Sequence, residues 1–336
     1  MALHAVDDVD DAFEATRALL FPIRIRRWLK LALVAFFIGS GMNVPTAQFN
    51  SPGTTGGNGG TGGTGGGMPS ELPPALSENV LAILAIAAIV LVGIWVTFAI
   101  VGAIMEFVFV ESLRRERVSI REYWSDRWTQ GLRLFGFRIL IGLPVIAVAV
   151  GWLALLVAPF ALGVIDPVLS VAGLLVGMAL LFVFALLLGL VNGFTTSFVV
   201  PIMIQRDVGV LSGWRTLWGS IRSDWKEYVV YAVLAVVLNV VAGLVAALAV
   251  GVVGMVLLVP LVVLAAVVHL TVSIGSTIGV AILAVPAALY ALVMIVVWAT
   301  AQVPVLAYMR YYALLVLGDV DESLDLIPDR RDAIRS

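Results

Sequence analysis

Apolar residues run along this chain in long blocks, separated by short stretches that carry most of the charge. The blocks are Trp28–Val44, Asn79–Val110, Leu132–Leu162, Val168–Ile204 and Tyr228–Met309. A run of ~20 apolar residues is enough to cross a hydrocarbon core of ~30 Å as a helix. The first block is short, but Trp28 and Lys30 suit an interface. The second exceeds a bilayer and is expected to tilt, to bend near Gly93 or Gly102, or to project into the cytoplasm. The third and fourth meet at a brief turn, Ile165–Pro167, and so predict a hairpin.

The last block has two parsings. Three crossings fit its length, but they would place Arg310 on the side opposite the other basic clusters. Two crossings, roughly Tyr228–Val250 and Ile278–Met309, keep every cluster on one side. They leave Gly251–Ser276 as a re-entrant, interfacial or broken helix, which protein would have to shield. The pattern therefore predicts an all-α polytopic helical membrane bundle of about six spans, with seven as the alternative.

Composition agrees with the pattern. The chain has 336 residues, 61% of them hydrophobic and 12% charged, and a mean hydropathy of +1.08. Its 20 Lys and Arg fall in four places: Arg17–Lys30, Arg114–Arg138, Arg206–Lys226, and from Arg310 onward. Such clustering is the positive-inside pattern. It predicts a multi-pass protein of the cell membrane with both termini cytoplasmic. The Thr54–Gly67 tract, TTGGNGGTGGTGGG, lacks Lys and Arg and reads as a flexible external loop within residues 45–78. The acidic, amphipathic ALHAVDDVDDAFEATRALL does not read as a signal peptide.

Two segments look alike. VSIREYWSDRW (Val118–Trp128) and VGVLSGWRTLW (Val208–Trp218) each follow one apolar block and precede another. Val118 matches Val208, Ile120 matches Val210, Trp124 matches Trp214 and Trp128 matches Trp218. In a helix, positions i and i+4 share a face, so each W-x-x-x-W predicts an amphipathic elbow in the headgroup layer. Arg121, Trp124, Trp128, Trp214, Arg215 and Trp218 are the candidate interface or lipid contacts. An aromatic ligand cage is the competing use. The chain then divides into units 1–112, 113–207 and 208–310, each an amphipathic segment with a helical pair, followed by an acidic cytoplasmic tail at 311–336.

Candidate chemistry is sparse. With no Cys, thiolate metal sites and disulfides are excluded. His4 and His269 cannot build a His-rich metal site, and the Gly run lacks the Lys of a phosphate-binding loop. No catalytic, cofactor-binding or metal residue is expected, and no nucleic-acid partner. Glu106 stands inside an apolar block, where a carboxylate is costly, with Arg114 or Arg138 as expected partner. Asn192, Asn239 and His269 complete the candidate intramembrane polar set. Helix packing is the plainer use of the asparagines. Prolines such as Pro260, Pro286 and Pro304 permit bends.

With VPVLAYMRYYALLVLG at Val303–Gly318, the two Trp segments resemble a group of prokaryotic multispan domains. It includes the membrane domain found with some glycerophosphodiester phosphodiesterases. The acidic DDVDDAFEATRALLFP and the Gly/Thr/Asn tract look like a haloarchaeal version. The resemblance implies a membrane fold and carries over no catalytic residue. The expected function is a non-enzymatic membrane scaffold, or a protein that binds lipid, a protein partner or its own copies. The alternative is a transporter, channel or lipid-handling protein with a cavity between bent helices.

Overall fold

The computed structural model describes residues 4–40, 78–161 and 167–335. Every regular element among them is helical: α1 (His4–Leu20), α2 (Ile25–Ser40), α3 (Glu78–Arg114), α4 (Ile120–Ala161), α5 (Pro167–Phe194), α6 (Val200–Arg206), α7 (Val210–Ser223), α8 (Trp225–Thr271), α9 (Thr277–Val320) and α10 (Pro328–Arg335). A π-helical turn, Thr195–Val199, joins α5 to α6 without a break, and a 3-10 turn, Glu322–Leu324, precedes α10.

Five stretches are long and apolar enough to cross a membrane: Ala82–Arg114, Ile120–Val157, Ala172–Arg206, Trp225–Thr271 and Thr277–Val320. The molecule is thus an all-α polytopic membrane bundle of about five spans. The predicted first span, Trp28–Val44, coincides with α2, whose 16 described residues are fewer than a crossing asks. Residues 41–44, like most of the Gly-rich loop (45–77) and residues 165–166 of the Ile165–Pro167 turn, lie outside the described residues.

Gly251–Ser276 corrects the sequence reading. It is neither re-entrant nor an extra crossing. Helix α8 runs unbroken for 47 residues through Pro260 to Thr271, and a short turn passes into the 44 residues of α9. Ser276 caps α9 by accepting from the Gly279 amide at 3.0 Å. At ~1.5 Å per residue these helices are ~70 Å long, about twice the hydrocarbon thickness. In α9 protein covers the extra length from Ala299 to Gly318, whereas α8 buries only Tyr228 and Tyr231 near that end.

That end is the core. Phe107–Val110, Phe198–Val200, Ile202, Met203 and Tyr311–Leu317 are almost wholly buried there. Residues 311–318, which open the acidic tail of the sequence reading, thus sit at the centre of the packed end. Helix α1 lies across it on a stripe of Ala5, Ala12 and Ala15, small enough for close approach. Tyr312 Oη donates to the Ala5 carbonyl at 2.9 Å, and Tyr308 Oη to that of Val9 at 3.3 Å. Helix α10 folds back so that Arg335 reaches Asp8 and Asp319, each at 2.7 Å.

Away from this platform the helices form apolar arms. In the most apolar 18-residue stretch of each long helix, at most 11% of residues are buried. Arm α4/α5 is fastened by Trp152, whose Nε1 donates to the Gly173 carbonyl at 3.1 Å. Arm α8/α9 is fastened by Tyr290, whose hydroxyl donates to the Gly254 carbonyl at 3.3 Å. Lipid contact accounts for surfaces of this kind, because a bilayer solvates Leu and Val as well as a core does.

Candidate functional site

The platform meets the arms at a buried charged centre. Helix α3 brings Glu106, the last anion before its apolar half, and α4 brings Arg138, the last cation before its own. Glu106 is 1% exposed and Arg138 and Arg310 are each 5% exposed, so water does not solvate these charges. Arg138 Nη2 donates to Glu106 Oε1 at 2.7 Å and to Thr196 Oγ1 at 2.7 Å. Arg310 Nη2, from α9, donates to Glu106 Oε2 at 3.4 Å, and its Nη1 to the Thr196 carbonyl. One carboxylate therefore receives two guanidinium groups, each planar and always protonated.

The π-helical turn makes this geometry. A π turn inserts one extra residue and rotates the side chains that follow. Here it carries Thr195, Thr196 and Ser197 in succession. Thr195 Oγ1 donates back to the Val191 carbonyl at 2.6 Å and accepts from Trp214 Nε1 at 3.0 Å. Thr196 receives both arginines. Tyr231 stacks on Tyr312 with ring centroids 5.1 Å apart and meets Phe198 edge-on at 4.7 Å. The aromatic wall keeps the centre dry, which strengthens its ion pairs and makes any unpaired charge costly.

A second polar layer lies toward the charged end. Glu111, buried, is bonded by Arg115 at 2.6 Å and faces Arg127 at 3.6 Å. Gln130 Nε2 donates to Asp207 Oδ1 at 2.6 Å, tying α4 to the end of α6.

Of the predicted polar residues, only Glu106 enters the centre. The expected pairing with Arg138 is found. Arg114 instead approaches Glu111 at 3.9 Å. Asn192 is buried and its Oδ1 has no partner, one helical turn from the π turn. Asn239 bonds within its own helix, to the Ala235 carbonyl at 2.7 Å. His269 is exposed near the far tip of α8 and remote in sequence order from every charged cluster. Arg310 was not singled out from the sequence as a site residue. The available signal was that Arg310, like Arg138, is the cation that bounds a long apolar run.

The Trp segments behave alike in part. Trp124 and Trp214 are half-buried against the core, whereas Trp128 and Trp218 are 50% and 51% exposed. Each W-x-x-x-W thus has its first indole packed inward on the core and its second turned more outward. The first segment is not a separate elbow: from Ile120 it forms the opening turns of α4. The second is a helix of its own, α7, broken from α8 at Asp224. Gly213 lets α7 approach closely, since a methyl there would fall 2.8 Å from Val199 Cγ1. Arg121 and Arg215 are exposed, and Arg222 lies 5.5 Å above the Trp218 ring.

Among the described residues no cluster of three His, Cys, Asp or Glu is placed to hold a metal ion. No curated protein and no solved structure matches the chain. A family model described as "Family of unknown function (DUF7544)" matches residues 3–327 and so takes in the platform, the charged centre and all five long helices. The chain belongs to this family, DUF7544, whose function is unknown.

Proposed function

We propose that the protein is a non-enzymatic integral membrane scaffold that binds anionic lipid around its platform and holds lipid or a partner protein along its arms. One observation carries the reading. Arg121, Arg133, Arg215, Arg222 and Lys226 are exposed and enter no ion pair among the described residues, and the exposed Trp128, Trp218 and Trp225 lie among them in sequence. Unpaired cations beside indoles, at the root of apolar arms, suit a headgroup layer of anionic lipid. With the positive-inside rule, this supports a platform and both termini on the cytoplasmic side.

The units 1–112, 113–207 and 208–310 are read as three uses of one plan. The paired inward and outward tryptophans of α4 and α7 support that reading for the second and third units. The likeness to the membrane domain that accompanies some glycerophosphodiester phosphodiesterases adds no catalytic group to it.

The lipid-handling form of the alternative has its own support. A groove of about 270 Å³ lies between α8 and α9, lined by Leu257, Pro260, Leu261, Pro286, Leu289 and Tyr290 among others. Its lining suits an acyl chain and offers little to a solute or an ion.

The test uses nanodiscs of phosphatidylcholine with and without phosphatidylglycerol, and native mass spectrometry of the protein released from them. The wild type is expected to retain phosphatidylglycerol selectively. Replacing Arg215, Arg222 and Lys226 together by Gln should lower that retention while leaving the fold intact. Equal retention by both proteins would overturn the lipid-binding reading.

A further inference from the structure

We infer that the buried Glu106–Arg138–Arg310 centre is an anion-binding site that takes one phosphate-type oxyanion. This site is separate from the exposed cations of α4, α7 and α8. Its fixed charges are two guanidinium groups and one carboxylate, so one positive charge is left over. No second carboxylate lies at ion-pair distance from Arg138 or Arg310 among the described residues. A buried excess charge is strongly unfavourable unless a counter-charge joins it.

The arrangement also leaves a donor free. Arg138 makes both its bonds through Nη2, while its Nε is buried with no partner. Arg138 is itself 95% buried, being only 5% exposed, so this N–H has no water to turn to. Guanidinium edges of this kind match phosphate and carboxylate oxygens. A carboxylate is already supplied by Glu106. The π turn places the hydroxyl of Thr196 beside Arg138, and Thr196 is half-buried, so the rim of the centre reaches the protein surface. That hydroxyl and a guanidinium edge together form a donor set for an oxyanion.

Depth bears on the source of that anion. Arg138 and Arg310 are the last cations before apolar arms, which is where headgroups give way to acyl chains. A lipid phosphodiester carries one negative charge and would cancel the excess. Free inorganic phosphate offers the same oxygens from the aqueous side.

The variants Glu106→Gln and Arg138→Gln separate a binding role from a structural one, because they move the excess charge in opposite directions. Purified protein is titrated with inorganic phosphate at constant ionic strength, set with gluconate, and thermal unfolding is followed by Trp fluorescence. In parallel, phosphatidylglycerol retention is counted by native mass spectrometry. The wild type should gain thermal stability with phosphate, with phosphatidylglycerol, or with both. Phosphate alone marks a free anion, and the lipid alone marks a headgroup.

For E106Q the half-effect should come at about tenfold lower ligand, whatever its starting stability. For R138Q the response should vanish. If R138Q does not fold, Arg138→Lys, which keeps the charge but loses the fork, should respond more weakly than wild type. No response of the wild type to either ligand would overturn the inference. So would responses in E106Q and R138Q that fall together, the mark of a merely structural ion pair.

Discussion

Arg335 donates to Asp8 at 2.7 Å across 327 positions of sequence, and the same guanidinium nitrogen reaches Asp319 Oδ2 at 2.7 Å. With its Nε bonded to Asp11 as well, a single cation serves three carboxyl groups, two from α1 and one from the end of α9, and docks α10 on both helices. Burial, then the neighbouring Asp319, push the Asp8 carboxyl up to about 8, against the opposing pull of Arg335.

The sign of the pH effect follows. Unfolded, Asp8 titrates near the ordinary carboxylate value of 3.8. Between there and about pH 8 the folded protein holds one proton more than the unfolded chain, so this group makes stability fall as pH rises through that window. Above it the slope vanishes. Asp8→Asn should therefore remove the slope, so that its stability relative to wild type rises steadily from pH 5 to pH 9. Arg335→Ala should do the reverse and sharpen the alkaline loss. Thermal unfolding in detergent at pH 5, 7 and 9 checks both, and a pH slope unchanged in D8N would rule the account out.

The buried triad makes a second prediction. Glu106→Ala leaves two guanidinium groups in a dry site, and removing one partner of such a network costs roughly 3–5 kcal/mol. Replacing all three members by Leu or Met of similar volume should restore most of that stability, since it removes the desolvation cost with the charges. Urea or SDS unfolding curves decide it. A triple variant as unstable as E106A would show that the charges themselves hold the helices together.

Close approach in the α4/α5 arm is a third. A methyl on Gly177 would overlap Trp152 at its ring nitrogen. Gly177→Ala should displace the indole, break its bond to the Gly173 carbonyl and cost roughly 1–3 kcal/mol. In the background of Trp152→Ala the same change should cost almost nothing. The chain has no native Cys, so a Cys pair across the arm gives a clean crosslinking readout of the splay.

The paired tryptophans supply a fourth. Trp214 packs on the core and bonds Thr195, so Trp214→Ala should cost roughly 2–4 kcal/mol. Trp218 is half-exposed, and Trp218→Ala should change stability by no more than about 0.5 kcal/mol. Trp124 and Trp128 should divide in the same way. If the outer indoles anchor the helices in the headgroup layer, their loss shows as greater access of water-borne reagents to neighbouring single-Cys labels.

Much of the architecture was legible in the sequence because apolar length is a local quantity. The blocks ending near Val110, Leu162 and Ile204 appear as long helices, and the α4/α5 pairing follows from their short link. The last block forms two long helices, as the preferred parsing had it, but that parsing misjudged Gly251–Ser276. Assigning ~20 residues to each crossing leaves no length for helix beyond the hydrocarbon, but α8 and α9 run for 47 and 44 residues, and the packed platform covers the last part of α9. Gly251–Ser276 consequently looked surplus, although it completes one helix and its turn. The same platform buries Tyr311–Leu317, which a charge count had assigned to a tail.

Chemistry was less legible. Glu106 drew notice because a lone carboxylate in an apolar run stands out by itself. Asp8 did not, since in its own segment it is one of several acids on an amphipathic helix, and only its contacts with Arg335 and Asp319 show that it is buried. Arg310 lies 204 positions from Glu106, and no local pattern distinguishes that pairing from Arg114.

The residue order alone settles where the chain is apolar, where its cations cluster and that it forms membrane helices, since partition into hydrocarbon sums over neighbouring residues whatever they later touch. Which charges meet is settled only by packing: by the Ala stripe that lets α1 lie on α9, by the π turn that swings Thr196 toward two arginines, and by the return of α10. Ion pairs and hydrogen bonds depend on separations of a few ångströms between residues hundreds of positions apart, and those separations exist only once the helices have packed.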